Sequence, residues 1–113
     1  MSEDCLFCRI VRGEIPAKRV AETDDCIAFR DIDPKAPVHV LVIPRRHVAS
    51  LDELDDPALL GSMGALLARI ARDEGIAESG YRMVINTRGD AGQSVAHIHA
   101  HLLGGRRLTW PPG

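Results

Sequence analysis

The chain consists of short apolar segments separated by polar breaks, and the spacing of its apolar residues predicts the elements of the fold. From about Leu51 to Ala77, apolar residues recur every three or four positions, which predicts one long helix that Gly75 ends. The segment LFCRIVRG predicts a short helix that ends at Gly13. The other apolar runs are short and rich in β-branched residues, as strands are; they are RVA and CIAFRDI around the turn ETDD, then VHVLVIP, YRMVIN and VAHIHAHLL. One long helix among strands in series predicts an α+β fold with an antiparallel sheet.

The polar breaks are predicted to be loops. DPKAP and TRGDAGQS are rich in proline, glycine and aspartate, which favour turns. The C-terminal tail, RRLTWPPG, contains Pro111 and Pro112, which have no N–H group to donate. The tail is therefore predicted to be neither a helix nor a central strand.

Composition favours one small domain, residues 1–113. The chain is 45% hydrophobic, and 14 Lys and Arg residues against 16 Asp and Glu residues give a net charge of −2, which does not favour extended nucleic-acid binding. No apolar run reaches the roughly 18 residues of a membrane helix. The start, MSEDCLFCRI, lacks the pattern of a signal peptide. Three cysteines do not make a disulfide framework, so we expect a cytoplasmic protein with reduced thiols and no membrane partner.

Three of the five histidines stand at alternate positions: His97, His99 and His101. In a strand, alternate side chains share one face, so the three imidazoles are predicted to form a row. The opposite row is apolar and is predicted to pack on the long helix. At roughly 3.4 Å per residue, the ends of the histidine row lie about 13 Å apart, too far to share one metal ion. We therefore expect one end of the row to be structural and the rest to perform chemistry.

A metal site is predicted from Cys5 and Cys8, because the C-x-x-C spacing lets two thiolates bind one tetrahedral ion. The missing ligands must come from elsewhere in the fold, and His47 and one end of the histidine row are the available imidazoles. With His97, these residues would make a structural Cys2His2 zinc site. Two alternatives remain: a pair of buried small residues, or a redox C-x-x-C, which normally opens a helix after a strand.

The loop before the histidine row offers groups that bind phosphate. Glycines let backbone N–H groups approach an anion, and amide and hydroxyl side chains can complete the cradle. Such a loop is usually only a turn, but a neutral imidazole beside a bound phosphorus centre is a nucleophile that can form a phosphoramidate intermediate. The candidate residues are Asn86, Gly89, Gly92, Gln93 and Ser94.

The sequence resembles the histidine triad family over nearly its whole length. HIHAHLL fits the pattern His-x-His-x-His-x-x, and GEIPAKRV, AFRDIDPKAPVHVLVIPRRH, GYRMVIN, GQSVAHIHAHLLGG and WPPG extend the similarity. The likeness is greatest to the branch of purine nucleoside phosphoramidases, also called histidine triad nucleotide-binding proteins. The resemblance implies a five-stranded antiparallel sheet with one long helix and a short N-terminal helix, and a homodimer in which two sheets become continuous.

By the same resemblance, the substrate is an adenosine or guanosine 5′-phosphoramidate and the ligand a nucleotide of the AMP or GMP type. His99 matches the nucleophile that attacks the α-phosphorus, and His101 matches the residue that contacts phosphate and assists proton transfer. Ser94 matches a hydroxyl near the leaving group, and His39 a histidine behind the triad. The residues that match nucleotide-binding positions are Phe29, Asp31, Ile32, Asn86, Gly92, Gln93, Ser94, His99, His101 and Trp110.

Two further features follow from the resemblance. Cys5, Cys8, His47 and His97 match the family's zinc-binding members one by one, and Trp110 lies on a C-terminal segment that reaches the partner subunit's site. Two other functions are consistent with the same motifs: hydrolysis of dinucleoside polyphosphates, and nucleotide binding or scaffolding without catalysis.

Overall fold

The computed structural model describes residues 4–113, and their strands form one antiparallel sheet. The order across the sheet is β1-β2-β3-β5-β4, and every neighbouring pair is antiparallel. This confirms the predicted fold class. The strands are β1 Arg19–Glu22, β2 Cys26–Arg30, β3 Val38–Pro44, β4 Tyr81–Val84 and β5 Ala100–Gly104, and the helices are α1 Leu6–Val11, α2 Pro57–Asp73 and α3 Arg88–Ala91.

The two faces of the sheet are covered by different helices. On one face, which we call the α2 face, Val40 and Val42 pack in a core with Met63, Leu67 and Ile70 of α2. The other face, which we call the imidazole face, carries a smaller apolar cluster in which Phe7 and Ile10 of α1 meet strand residues. The central strand β3 is buried along its whole length. Burial on both faces explains why VHVLVIP is apolar at every position except His39 instead of alternating between apolar and polar residues.

The predicted long helix is wrong at its N-terminal end. Leu51–Glu53 form a separate 3-10 turn, and α2 begins only at Pro57. The Asp56 side chain caps the helix, accepting a hydrogen bond from Ala58 N at 3.0 Å. Proline suits the first helical position because its missing N–H would have no partner there. At the other end, Gly75 has a φ of +76°, the left-handed conformation that ends helices.

The final strand is shorter than predicted, since β5 begins at Ala100 and includes only His101 of the three triad histidines. Its partner strand ends at Pro44, which has no N–H to extend the pairing. The chain before Ala100 is held instead by Ile98 N, which donates to Val48 O at 2.7 Å. The alternation of faces continues, because Ile98, Ala100 and Leu102 all lie in the core under α2.

The segment predicted as the loop TRGDAGQS contains α3, a single turn of helix. Gly92 follows this turn with a φ of +80°, so the left-handed position is occupied by the residue that adopts it most readily. Within residues 4–113, none of the helices has the length and apolar character needed to span a membrane.

Candidate functional site

All five histidines of the chain lie in one row along the imidazole face. Neighbouring ring centroids are 5.2 Å apart for His39 and His101, 5.1 Å for His101 and His99, and 5.0 Å for His97 and His47. Phe7 lies between His99 and His97: its ring centroid is 5.1 Å from that of His99 and 5.9 Å from that of His97. The row therefore has two parts, with the Phe7 ring between them: His39, His101 and His99 form one, and His97 and His47 form the other.

The chain positions the two ends differently. His39 and His101 lie on the adjacent strands β3 and β5, where His39 pairs with Leu103 and Leu41 pairs with His101, so the two histidines are diagonal neighbours on one face. His97 and His99 precede β5, and both are buried. The predicted division of the triad is consistent with this arrangement.

A backbone carbonyl determines which ring nitrogen of His99 carries the proton. Nδ1 lies 2.8 Å from the carbonyl oxygen of His97. A carbonyl oxygen only accepts, so Nδ1 carries the proton and donates it. In the neutral imidazole the lone pair is then on Nε2. Neutral His99 is therefore held in the tautomer whose Nε2 can act as a nucleophile.

The proton on His101 is placed by a chain of two hydrogen bonds. The Lys35 backbone N–H donates to His39 Nδ1 at 3.0 Å, so neutral His39 carries its proton on Nε2. That Nε2–H donates to His101 Nδ1 at 2.9 Å. Neutral His101 therefore carries its own proton on Nε2, as a donor.

The pKa values of His101 and His39 are both lowered, which favours their neutral forms at pH 7. Burial, together with the charges of His99 and His39 and against the opposing effect of the Asp31 carboxylate, lowers the pKa of His101 to about 4. Burial also lowers the pKa of His39, against the opposing effect of the Asp31 carboxylate, whose Oδ2 lies 3.4 Å from His39 Nε2. The neutral tautomers described above are the relevant ones.

Asp31, His39 and His101 also bring three ligand atoms within 4.8 Å of one another. A metal there would need the lone pair of His39 Nε2, which places the His39 proton on Nδ1. That nitrogen faces the Lys35 N–H at 3.0 Å, and two donors would then oppose each other. The arrangement therefore favours a hydrogen-bonded relay over a second metal site.

At the opposite end of the row, four potential metal ligands converge. His97 Nδ1 lies 3.4 Å from Cys5 Sγ, 3.5 Å from Cys8 Sγ and 3.3 Å from His47 Nδ1. Cys8 Sγ is 3.3 Å from His47 Nδ1. Nitrogen and sulfur atoms at zinc-bonding distance in a tetrahedron lie about 3.3–3.8 Å apart. The four side chains therefore fit a tetrahedral zinc ion.

The surroundings of the cluster determine the tautomer and the pKa of His97, and both suit metal binding. Its Nε2–H donates to the carbonyl oxygen of Pro44 at 2.9 Å, which leaves the lone pair on Nδ1, the atom facing the thiols. Burial lowers the pKa of His97 to about 4, so its imidazole is neutral. Burial, with the hydrogen bond and charge of Cys5, raises the pKa of Cys8 to about 11. Without a cation the Cys8 thiol is thus protonated, and metal binding would release that proton.

Three separate elements supply these ligands. Cys5 is the N-cap of α1, and Cys8 is one turn later, with its N–H 3.4 Å from Cys5 Sγ. His47 follows the end of β3, and His97 precedes β5. A metal here would join the N-terminal helix to the middle of the sheet.

Beyond His39, a groove of about 690 Å³ is lined by Asp31, Ile32 and His39 together with three prolines and Lys18. Ile32 is 100% exposed and so offers apolar surface to a ligand. Phe29, by contrast, is buried and does not line this groove; its ring packs 5.6 Å from that of Phe7. The groove has the volume and mixed lining of a small-molecule site.

The predicted phosphate loop lies next to the metal cluster. Exposed Ser94 lines a second cavity, of about 460 Å³, with Cys5 and His47. The Gln93 amide is occupied: Nε2 donates to Ala49 O at 2.7 Å and to Val95 O at 2.9 Å, and Oε1 accepts from Arg88 N at 2.8 Å. The Gln93 side chain therefore braces the loop.

Two other predicted residues lie on the segment after β4 and on the C-terminal tail. Asn86 is half-buried, two residues beyond the end of β4. Trp110 is 80% exposed on the C-terminal tail. Its predicted role requires a second subunit and stays a prediction. The structure also identifies a residue that sequence reasoning missed, Phe7, whose only signal was its place between the two cysteines.

Known proteins resemble this chain in sequence and in fold. Residues 12–108 match the HIT domain family. The whole chain aligns with the whole of an uncharacterised HIT-like protein of Synechococcus elongatus, with 55% identity over 115 residues. It is 46% identical over 110 residues to the purine nucleoside phosphoramidase of Escherichia coli, covering 96% of this chain and 92% of that protein.

Among solved structures, the HIT family hydrolase of Legionella pneumophila has a TM-score of 0.95 and 49% sequence identity, covering 97% of this chain and all of that one. The family match spans most of the chain and contains the whole histidine triad. This chain therefore belongs to the HIT domain family, the histidine triad proteins.

Proposed function

We propose that this chain hydrolyses the P–N bond of purine nucleoside 5′-phosphoramidates, with adenosine or guanosine as the nucleoside. The observation that carries the proposal is the pair of fixed tautomers: a lone pair on His99 Nε2 beside an N–H on His101 Nε2. One can attack phosphorus while the other donates to a phosphate oxygen. The 46% identity to the phosphoramidase of Escherichia coli supports the same substrate class.

In the first step, the lone pair of His99 Nε2 forms a bond to the α-phosphorus. The P–N bond breaks, its electron pair goes to the leaving nitrogen, and that nitrogen takes a proton from solvent. His99 becomes a positively charged nucleotidyl-imidazole. Its Nδ1–H still donates to the His97 carbonyl oxygen, whose partial negative charge stabilises the cation.

In the second step, water attacks the same phosphorus and the bond to Nε2 breaks. The electron pair of that bond returns to His99. The water's oxygen and one of its protons stay on phosphorus, its other proton goes to solvent, and the nucleoside monophosphate leaves. Throughout, His101 Nε2–H stabilises the negative charge that gathers on the phosphate oxygens, and His39 keeps that proton in place. Asp31, at the groove beside His39, is available to accept hydrogen bonds from ribose hydroxyls.

We also propose a structural zinc ion at Cys5, Cys8, His47 and His97. A closed four-ligand site has no position for water, so zinc there would supply a crosslink and would take part in neither chemical step. The convergence of two imidazole nitrogens on the thiols supports this assignment over a redox pair, which needs only the cysteines. We also propose a homodimer, which is supported by the exposed apolar residues Tyr81 and Met83 on the edge strand β4.

The test of the proposed function uses a fluorogenic adenosine phosphoramidate and its guanosine counterpart. We expect turnover by the wild type and a loss of at least about 10³-fold for His99→Ala, as when other enzymes lose a nucleophile. Arg69→Ala is the control, because it removes an exposed side chain of α2, which covers the face of the sheet opposite the histidines. Faster cleavage of a dinucleoside polyphosphate at equal enzyme concentration would contradict the substrate class. AMP binding without turnover above the His99→Ala background would contradict catalysis.

A further inference from the structure

The N-terminal helix places one aromatic ring against the nucleophile. The Phe7 ring meets that of His99 edge-on, with centroids 5.1 Å apart and planes at 85°. It meets the His97 ring in the same way, at 5.9 Å and 75°. Phe7 is 4% exposed and also packs on Phe29. Edge-to-face contacts of this kind orient rings as well as bury them.

The position of Phe7 is set by the candidate metal ligands. It lies between Cys5 and Cys8 along the chain, and both thiols lie within 3.5 Å of His97 Nδ1. A metal bound there would fix the first turn of α1 on both sides of the phenyl ring. His97 also supplies the carbonyl oxygen that accepts from His99 Nδ1 at 2.8 Å. The metal cluster is therefore connected to His99 in two ways: the Phe7 ring contacts the His99 ring, and the His97 carbonyl accepts its hydrogen bond.

We propose that Phe7 is a positioning residue for the nucleophile: it transmits the fixed position of α1 to His99 and holds that ring with Nδ1–H on the His97 carbonyl. This inference rests on the proposed function of His99. Without the phenyl edge, the imidazole gains room to turn about its Cβ–Cγ bond and lose the hydrogen bond that sets its tautomer. Reactions of this kind depend on orientation, since misplacement of a reacting group by about 1 Å can cost about 10²-fold in rate.

The test compares Phe7→Leu with the wild type at full metal loading. Leucine keeps the site apolar but removes the ring edge. We expect kcat to fall about 10-fold with KM changed less than about twofold, since orientation and not binding is altered. Metal content per chain is expected to stay the same. Val11→Ala is the control: it truncates a partly buried residue of α1 that packs on the same apolar cluster, and kcat should stay within about twofold.

A second readout does not depend on turnover. In ¹⁵N-labelled protein, the ring nitrogens of His99 report which one is protonated. We expect a single Nδ1–H tautomer in the wild type and a mixture in Phe7→Leu, with the ring-retaining Phe7→Tyr close to wild type. A wild-type spectrum in Phe7→Leu, or an effect on KM alone, would overturn the inference. If the wild type cleaves no phosphoramidate, the proposed function fails, whereas the tautomer spectra still decide whether Phe7 positions His99.

Discussion

At the scale of single residues, hydrogen bonds determine what the imidazoles of His39, His99 and His101 can do. The His97 carbonyl makes His99 Nδ1 a donor, and the Lys35 N–H makes His39 Nδ1 an acceptor. The His39 bond then decides the tautomer of His101. Three chemically identical side chains therefore differ in role because their neighbours differ.

His39 offers a direct test of this relay. In His39→Gln, the amide Nε2–H can still donate to His101 Nδ1, whereas His39→Leu removes the donor but keeps an apolar side chain. We expect kcat to fall by roughly 2- to 10-fold in His39→Leu, since one hydrogen bond contributes about 0.5–1.5 kcal/mol. His39→Gln should retain most of the activity. Steady-state kinetics on the fluorogenic substrate measure both variants, and equal losses would show that the donated proton is unimportant.

Much of the site could be predicted from residue patterns, because alternation in strands is a strong constraint. The shared face of His97, His99 and His101 followed from their spacing, and the structure shows it. Their tautomers could not be predicted, since the deciding carbonyl and N–H groups belong to backbone that adopts its position only in the fold. Gln93 illustrates the same limit: its amide type indicated a phosphate ligand, but in the fold its amide makes three hydrogen bonds to backbone groups, one of them to the distant Ala49.

At the scale of elements, α1 is short, and its own hydrogen bonds contribute little to its stability. What holds it is burial of Phe7 and Ile10 and the cluster formed by its two cysteines. The start of α2 shows why the boundaries of a helix are harder to predict than which residues share one face. Apolar spacing continued back to Leu51, yet the cap at Asp56 and the proline at position 57 set the boundary.

Removing the two cysteines tests the zinc site. Purified wild type is expected to hold about one zinc per chain, measured by elemental analysis, and Cys5→Ser with Cys8→Ser to hold none. The free energy of unfolding should fall by about 4 kcal/mol if free zinc stands near 1,000 times its Kd, because a ligand of the folded state stabilises it by mass action. Some activity should remain, since the chemical groups are intact.

The third cysteine provides the control for that experiment. Cys26 is buried in the core under α2, apart from the cluster, so Cys26→Ala should keep its zinc. A wild type that is free of metal when prepared without chelators would contradict the site. Complete loss of turnover on zinc removal, with the fold and AMP binding intact, would contradict a purely structural role.

At the scale of the whole molecule, the two edges of the sheet differ in character. The β1 edge carries Arg19 and Glu22, which form an ion pair at 3.2 Å, and charges on an edge strand discourage pairing with another sheet. The β4 edge instead exposes Tyr81 and Met83, each 39% accessible. These exposed apolar residues support the proposal that two chains form a continuous sheet through β4.

This assignment predicts the effect of one charge at the β4 edge. The wild type is expected to have the mass of two 12.3 kDa chains in solution, by light scattering during size-exclusion chromatography. Met83→Lys should shift the population to single chains, because a lysine at that edge would bury its charge in the interface. Leu51→Lys, a charge at a similarly exposed apolar residue away from β4, should leave the dimer intact. Since Trp110 is predicted to act in the partner's site, Met83→Lys should also alter leaving-group preference, whereas an unchanged dimer would place the interface elsewhere.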